Sequence, residues 1–401
     1  MVTQILDSVE NAAANKPRAE RFITRFARVY TPIVVILAVA TAIIPSLFTG
    51  DWNYWVYTAL SFLVMSCPCA LVLSVPLAFF SGIGKAGKKG ILFKGGVSIE
   101  ALAGVKAAVL DKTGTVTKGD FTVREVVGGD ALALCAACEQ FSTHPIAVSI
   151  LAAAKERDIA PVKPEELEEI AGQGIRACVG GKEVLCGNAK LMADHGVKVP
   201  NLAETDGTVV LLAVDGEYRG HVVISDTLKE GAGAAMARLK GQGIATAMLT
   251  GDREESARAV AEKLGIDEVH ARLLPEQKLE KLASIREKYG PVLFVGDGIN
   301  DAPVLSGADV GAAMGSGADA AIEAADVVFM TSDVGAVPAA VDIARETRRI
   351  AWQNVVFALV VKIIVMVLGL TGHASMWMAV FADSGVAMLC VLNSIRALYK
   401  K

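Results

Sequence analysis

The run Asp111-Lys112-Thr113-Gly114-Thr115 carries the clearest chemical signature of the 401-residue chain. It places a carboxylate at the end of the apolar run AAVLD and follows it with small residues. Backbone N–H groups of such a loop can face phosphate oxygens while the carboxylate attacks a phosphoryl group. Because carboxylate and phosphate repel each other, further acidic residues should hold Mg²⁺ nearby. The run therefore predicts phosphoryl transfer with Asp111 as the nucleophile.

Four further residues complete this predicted site. Asp297 and Asp301, in the run GDGIND, offer carboxylates to Mg²⁺. Lys278, at the start of a predicted helix, offers a fixed positive charge, and Thr250 offers a hydroxyl to the same phosphate. Alone, each of these residues is more often a turn aspartate or a surface lysine than a catalytic group. Together, and in this order along the chain, they predict one site.

Short β-branched runs alternate with amphipathic segments around these residues. This alternation predicts a parallel sheet with helices on both faces, and ligands gather beyond the carboxyl ends of such strands. The loops at 111–115, 250–252 and 296–301 should therefore converge. The predicted strands lie at 107–111, 244–249, 292–297 and 308–314, and the predicted helices near 229–240, 253–264 and 276–288.

Residues 122–225 have a different sequence pattern, with signals for β-hairpins. The Gly180-Gly181 and Asp215-Gly216 pairs each separate two β-prone runs, and such two-residue turns suit tight antiparallel connections. This segment is predicted to be an inserted α+β domain.

The chain also contains long uncharged stretches. Residues 29–48 and 52–84 carry no charged side chain, and each is long enough to cross about 30 Å of hydrocarbon. A third stretch, from 349 to the C-terminus, is interrupted by Lys362, Asp383 and Arg396 before its final lysines, and it divides at 371–373 into two further candidates. Four membrane spans are therefore predicted, and the lipid bilayer is the first expected partner.

Basic clusters flank these spans on one side only, whereas the connections at 49–53 and 371–375 contain no Lys or Arg. By the positive-inside bias, the catalytic domains and both termini should be cytoplasmic, in what we expect to be a bacterial plasma membrane. The net charge of −4 indicates no nucleic-acid surface. The clusters are Arg21, Arg25 and Arg28; Lys85, Lys88, Lys89 and Lys94; Arg345, Arg348 and Arg349; and Arg396, Lys400 and Lys401.

Cys67-Pro68-Cys69 lies within the second predicted span. Proline removes a helical hydrogen bond there, and the two thiols could present sulfur to an ion. Thiolates suit Zn²⁺, Cd²⁺, Pb²⁺ or Cu⁺ rather than Ca²⁺ or Mg²⁺. The alternative is a pair of apolar cysteines beside a helix kink.

Lys362 and Asp383 are charges within the last two predicted spans. Such charges are costly unless they pair or face a polar cavity, and these two could pair with each other. Cys135 and Cys138, in contrast, have no second CxxC pair or histidine cluster to complete a metal site. Such a pair more often packs in a core than binds a metal. Four histidines have no constellation around them and stay unassigned: His195, His221, His270 and His373.

The sequence DKTGTVT, followed by TGD and GDGIND, resembles the P-type ATPase family, whose phosphorylation domain has the haloacid-dehalogenase fold. The resemblance implies an aspartyl-phosphate at Asp111 and Mg²⁺ near Asp111, Thr113 and Asp297. Many phosphatases of that superfamily carry a second Asp two positions after the nucleophile, where this chain has Thr113. Losing that acid should make the phosphoenzyme slow to hydrolyse.

The segment Ser142-Thr-His-Pro145 resembles the nucleotide-binding domain of the heavy-metal class. The resemblance implies that His144 stacks on or hydrogen-bonds adenine, with Glu139 nearby, and that Gly172 and Gly174 let the backbone approach ATP. A helix-capping turn would produce the same His-Pro pair.

Lys362 and Asp383-Ser384-Gly385 match the zinc, cadmium and lead subgroup, whereas the Asn-Tyr and Met-Ser-Ser patterns of the copper subgroup are not found. The resemblance thus implies that Cys67, Cys69 and Asp383 are metal ligands and that Lys362 is a counter-charge. Three other candidates are expected to pack against neighbours: Met376, Met378 and Cys390.

The expected fold class is a multi-pass α-helical membrane protein with an α/β, haloacid-dehalogenase-like phosphorylation domain and an inserted α+β nucleotide-binding domain. No Thr-Gly-Glu loop of an actuator domain is found, so we expect only a partial pump, and a separate actuator-containing fragment could be a partner. The predicted domains are a cytoplasmic linker helix at 1–28, a first membrane pair at 29–105, the phosphorylation domain at 106–121 and 226–345, the nucleotide-binding domain at 122–225, and a second membrane pair at 346–401.

The function expected from this resemblance is ATP-driven export of a soft divalent metal ion. Two alternatives remain open at this point. One is a membrane-tethered phosphatase or phosphotransferase of the haloacid-dehalogenase type, and the other is a non-enzymatic metal-binding membrane fragment.

Overall fold

The computed structural model describes residues 22–66, 69–142, 144–200, 202, 207–298, 301–315, 317–370 and 376–399. These residues form two compact units. The first comprises the described residues of 1–108, 285–294 and 299–401, and the second those of 109–284 and 295–298. Cys67 and Pro68 lie outside the described residues, and so does the side chain of Cys69.

The helices are α1 (Phe22–Thr49), α2 (Trp52–Met65), α3 (Cys69–Gly87), α4 (Gly96–Leu102), α5 (Ala131–Glu139), α6 (Pro145–Glu156), α7 (Ala189–Asp194), α8 (Ala232–Gly241), α9 (Glu254–Leu264), α10 (Pro275–Tyr289), α11 (Ala302–Gly307), α12 (Asp319–Ala324), α13 (Ala336–Leu370), α14 (Met376–Val380) and α15 (Val386–Tyr399). The strands are β1 (Ile91–Phe93), β2 (Ala107–Asp111), β3 (Thr117–Val127), β4 (Glu166–Ile170), β5 (Gly174–Val179), β6 (Lys182–Gly187), β7 (Thr208–Val214), β8 (Glu217–Leu228), β9 (Ala245–Leu249), β10 (Glu268–His270), β11 (Val292–Gly296), β12 (Val310–Met314) and β13 (Val327–Phe329).

The first unit contains the membrane-span candidates. Within the described residues, four helical segments are long and apolar enough to cross a bilayer, which confirms the predicted number of spans. The uncharged stretch 52–84 is divided, because α2 ends at Met65 and α3 begins at Cys69. The four segments are Arg28–Thr49, Ala70–Gly87, Ala336–Leu368 and Phe381–Tyr399.

The spans pack through small residues. Helices α3, α13 and α15 share a buried core that includes Ala78, Val355 and Val386. Large apolar side chains such as Leu47 and Phe48 point outward and are exposed, as expected for a surface in contact with lipid. In the α/β part of the same unit, β1 pairs antiparallel with β13, and β13 pairs parallel with β12.

The second unit contains an antiparallel sheet of six strands in the order β3-β8-β7-β6-β5-β4. The two predicted hairpin turns are present between β5 and β6 and between β7 and β8. All four of their turn residues have positive φ, as the tight turns of β-hairpins require. Cys135 and Cys138 are buried in the apolar core between this sheet and helices α5 and α6, in keeping with their interpretation as packing residues.

The parallel part of the second unit contains β9 and β10, in the register Ala247↔Glu268 and Leu249↔His270. Helices α8 and α9 bury apolar faces that include Met236 and Val260. The alternation of strand and helix that the sequence predicts is therefore present here.

Replacing Gly174 by alanine should destabilise the six-stranded sheet. Gly174 has φ +142°, and a Cβ atom there would lie 2.3 Å from the carbonyl oxygen of Cys186. We expect the free energy of unfolding of the sheet to fall by about 1–3 kcal/mol. Hydrogen-exchange protection of β5 and β6 should then fall tenfold for every ~1.4 kcal/mol that is lost.

Gly129→Ala is the matched control, because a Cβ atom at Gly129 would meet nothing within 4 Å. Equal exchange in the two variants would contradict the steric argument.

Candidate active site

Asp111 and Lys278 form a buried ion pair. Lys278 Nζ donates to Asp111 Oδ1 at 2.5 Å, and the two side chains are 10% and 9% exposed. Lys278 lies in the first turn of α10, where its backbone N–H bonds the carbonyl oxygen of Leu274. The helix therefore holds the ammonium group on the carboxylate that ends β2, and the positive charge offsets part of the cost of burying a negative one.

Asp297 lies against the loop that follows Asp111. Oxygen atoms of the two carboxylates lie within 4.8 Å of each other. Gly114 has φ +71°, and a Cβ atom there would lie 1.6 Å from Asp297 Oδ2. Only glycine therefore leaves room for this carboxylate, and the resulting pair of hard oxygen donors fits Mg²⁺.

The loop at 250–252 contacts Lys112, the residue that follows Asp111. Lys112 Nζ bonds Asp252 Oδ2 and, at 2.9 Å, Ser256 Oγ. Thr250 is buried, and its Oγ1 accepts the backbone N–H of Asp252 at 3.1 Å. Asp111, Thr250 and Asp297, which the sequence places in three separate loops, are thus all found in the second unit, as are Thr113 and Lys278. Asp301 is buried at the start of α11 in the first unit.

Sequence reasoning missed Asp226 and Lys229, which lie at the end of β8. Lys229 Nζ donates to the carbonyl oxygen of Gly114, and Asp226 Oδ1 accepts the backbone N–H of Gly119 at 3.0 Å. Burial raises the pKa of Asp226, although Thr117 and Lys112 oppose that shift. The signal was the run DTLK at 226–229, where two charges follow the apolar run VVI at the end of the strand.

A cleft of about 760 Å³ opens beside Lys112 and Thr113. Its wall carries basic and apolar residues, together with the acidic Asp226 and Asp252. The basic residues are Lys112, Arg124, Arg253 and Lys263, and the apolar ones include Phe121, Ile146, Ile224 and Val260. This combination suits a ligand with an anionic end and a flat apolar end.

His144 lines this cleft and also caps a helix. Its Nδ1 accepts the backbone N–H of Ile146 at 3.2 Å at the start of α6, so the proton of the neutral ring is on Nε2. The capping turn considered in the sequence is therefore present, and the exposed imidazole also faces a cleft of suitable size.

Glu139, Gly172 and Gly174 are not among the described residues that line the cleft. Glu139 is buried at the end of α5, and burial raises its pKa, although a hydrogen bond from Ser142 opposes the shift. Gly172 and Gly174 lie at the turn between β4 and β5, where the Gly172 carbonyl oxygen accepts Asn188 Nδ2 at 2.9 Å.

In the spans, Lys362 Nζ lies 3.2 Å from Asp383 Oδ1, which confirms that the two charges can pair. Asp383 lies in a π-helical turn, Phe381–Gly385, and such turns are frequent at functional sites. Cys390 is buried, and its Sγ contacts the carbonyl oxygen of Asn354 at 3.7 Å, in keeping with a packing role.

Comparison with known proteins gives consistent matches. Residues 105–309 match the family model of haloacid dehalogenase-like hydrolases, which confirms the predicted fold class. The chain is 49% identical over its whole length to a cadmium, zinc and cobalt-transporting ATPase of Bacillus subtilis, and 48% identical to a zinc-transporting ATPase of Synechocystis. It spans 58% and 56% of the lengths of these two relatives.

Solved structures agree. A crystal structure of a zinc-transporting PIB-type ATPase in the E2·Pi state matches with a TM-score of 0.87 and 36% identity, over 98% of this chain and 67% of that one. The catalytic domain of a CPx-ATPase, described as changing conformation upon nucleotide binding, matches with a TM-score of 0.55 and 28% identity, over 65% of this chain and 98% of that one.

Gly114→Ala should disable the site without unfolding it. The new methyl group would displace the Asp297 carboxylate, and a displacement of about 1 Å in an active site costs roughly 100-fold in rate. The rate of phosphoryl transfer to Asp111, followed with labelled ATP, should fall by about this factor. A rate within twofold of the unsubstituted chain would contradict the role of Asp297.

Glu139→Gln should remove a pH dependence from α5. The raised pKa means that the folded chain holds the Glu139 proton more tightly than the unfolded chain does. Local stability should therefore be greatest below the usual pKa of glutamate and fall as pH rises through the raised value. Hydrogen exchange of α5, corrected for intrinsic rates at pH 5 and pH 8, should show this fall in the unsubstituted chain only.

Proposed function

Because the chain belongs to the metal-transporting P-type ATPases, we propose that it uses ATP to export a soft divalent ion, Zn²⁺ or Cd²⁺, through an aspartyl-phosphate at Asp111. The buried Asp111–Lys278 pair beside Asp297 is the observation that carries this proposal. The chain spans 58% of the length of its Bacillus subtilis relative. The activity of the whole transporter is therefore a proposal.

In the proposed reaction, ATP lies in the cleft with its phosphates toward Lys112 and Thr113 and its base near His144. An Asp111 carboxylate oxygen forms a bond to the γ-phosphorus. The bond from that phosphorus to the bridging oxygen breaks, and ADP leaves with the electron pair. Lys278 and Lys112 stabilise the charge that spreads over the transferred group.

Asp111, Thr113 and Asp297 would hold Mg²⁺, with Asp301, four residues further along the chain, as an additional acid. Bound Mg²⁺ neutralises phosphate charge and orients the γ-phosphate. Thr113, which lines the cleft, cannot act as the carboxylic acid that a phosphatase uses at this position. The phosphoenzyme should therefore persist long enough for a conformational step.

We propose that Cys67, Cys69 and Asp383 bind the transported ion and that Lys362 replaces it. Thiolates favour Zn²⁺, Cd²⁺ and also Pb²⁺ over hard cations. Lys362 already bonds the Asp383 carboxylate, so the ammonium group and the metal ion compete for the same oxygen atoms. For adenine, we propose Glu139, Gly172 and Gly174 as further contacts beside His144.

The proposed setting is a bacterial plasma membrane with the catalytic domains in the cytoplasm. We propose that the phosphorylation domain comprises residues 106–121 and 226–345 and that the nucleotide-binding domain, residues 122–225, is inserted between these two parts. Dephosphorylation needs an actuator function, and we propose that a separate segment supplies it.

Asp111→Asn should abolish labelling by γ-labelled ATP. With Mg²⁺ and Zn²⁺, the unsubstituted chain should form an acid-stable, hydroxylamine-labile adduct, because an acyl phosphate has this reactivity. If small phosphate esters label the chain and ATP does not, the chain is a phosphatase or phosphotransferase. If neither labels it, the chain is a metal-binding fragment.

Cys67→Ala and Asp383→Ala should remove the zinc requirement or the labelling itself, because each deletes a proposed ligand. Cys135→Ala is the matched control, since Cys135 is buried in the core of the inserted domain. The comparison is the labelling ratio with and without Zn²⁺. Equal damage from Cys135→Ala and Cys67→Ala would refute the metal-site assignment.

A further inference from the structure

Lys85 and Glu346 form an ion pair between α3 and α13. Lys85 Nζ lies 2.6 Å from Glu346 Oε2, and the side chains are 10% and 20% exposed. One turn earlier on α3, Gly82 lies so close to α13 that a Cβ atom there would be 2.3 Å from Thr347 Oγ1. The two helices are thus joined by close packing and by charge at the same place.

This junction lies where the spans meet the α/β part of the first unit. Three residues separate α3 from β1, and six separate β13 from α13. Strands β1 and β13 are themselves paired, with Ile91 opposite Phe329. The two helices that carry Cys69 and Lys362 therefore each lead, over a short distance, into one of two adjacent strands.

We propose that Lys85 and Glu346 are positioning residues that make α3 and α13 move as one body, so that metal binding in the spans controls phosphorylation of Asp111. The inference rests on the proposed function. Neither residue touches the ion or ATP, and both act through the helices that hold the ligands. Helix α13 has 35 residues and a length of about 50 Å, so a small rotation at its end displaces Lys362 appreciably.

A set of variants separates coupling from stability. Lys85→Met and Glu346→Gln each break the pair, and Lys85→Glu with Glu346→Lys restores it in reverse. Lys85→Met with Glu346→Leu removes both charges, which leaves no lone buried charge and so should preserve folding. Lys88→Met is the control, because Lys88 is an exposed basic residue just after α3.

The measurement is the ratio of ATP labelling at Asp111 with and without Zn²⁺ for the full chain in detergent, together with Zn²⁺ binding and hydrogen exchange of α3 and α13. We expect the ratio to fall at least fivefold in both single variants and in the apolar double variant. Zn²⁺ binding should change less than twofold, and the reversed pair should recover at least half of the ratio.

A normal labelling ratio in the apolar double variant would show that the pair serves only stability, and it would overturn the proposal. A low labelling ratio in the reversed pair, with normal hydrogen exchange of α3 and α13, would also overturn it. If Zn²⁺ does not stimulate labelling of the unsubstituted chain, the proposed function itself fails. If it does and the single variants match Lys88→Met, this inference alone fails.

Discussion

The proposed catalytic site depends on one electrostatic constraint: in the reaction we propose, an anionic nucleophile must approach an anionic phosphate. Asp111 is buried, and burial alone would favour its neutral, unreactive form. The ammonium group of Lys278 at 2.5 Å stabilises the ionised carboxylate in place. Removing one partner of such a buried pair typically costs 3–5 kcal/mol, so the pairing is a condition for folding around the site as well as for reaction.

The same constraint explains why small residues surround the nucleophile. A second carboxylate, Asp297, has to come close to the first for a divalent cation to bind between them, and Gly114 provides that space. Lys229 then bonds the Gly114 carbonyl oxygen from the end of β8. Strand β8 begins in the inserted domain and ends just before Lys229, so the same strand leads from that domain to a contact with the catalytic loop.

The sequence was informative where chemistry or length imposes a local pattern. The run at 111–115 and the separate residues Thr250, Lys278 and Asp297 were predicted as one site because phosphoryl transfer needs a carboxylate, a hydroxyl, a fixed positive charge and Mg²⁺ ligands together. The number of spans followed from the thickness of a bilayer. Both hairpins followed from turn residues that tolerate positive φ.

Other features could not be predicted because they depend on contacts between distant residues. Asp226 and Lys229 gain their roles only when β8 returns beside β3, about a hundred residues after the catalytic loop. Pro68 predicts an interruption of the second span, whereas the π-helical turn that carries Asp383 has no sequence signature. The Lys85–Glu346 pair joins residues 261 positions apart, which the packing of α3 on α13, including Gly82 on Thr347, brings together.

The Lys362–Asp383 pair sets the free energy of the spans when no ion is bound. A lone charge within a bilayer is costly, so each of these side chains needs the other when no ion is present. If Asp383 binds the transported ion as we propose, an incoming divalent cation has to displace an ammonium group 3.2 Å from the carboxylate. The net affinity of the proposed site is then the difference between the free energy of metal binding and that of the ion pair. A modest conformational change can shift this balance from binding to release, as the proposed transport requires.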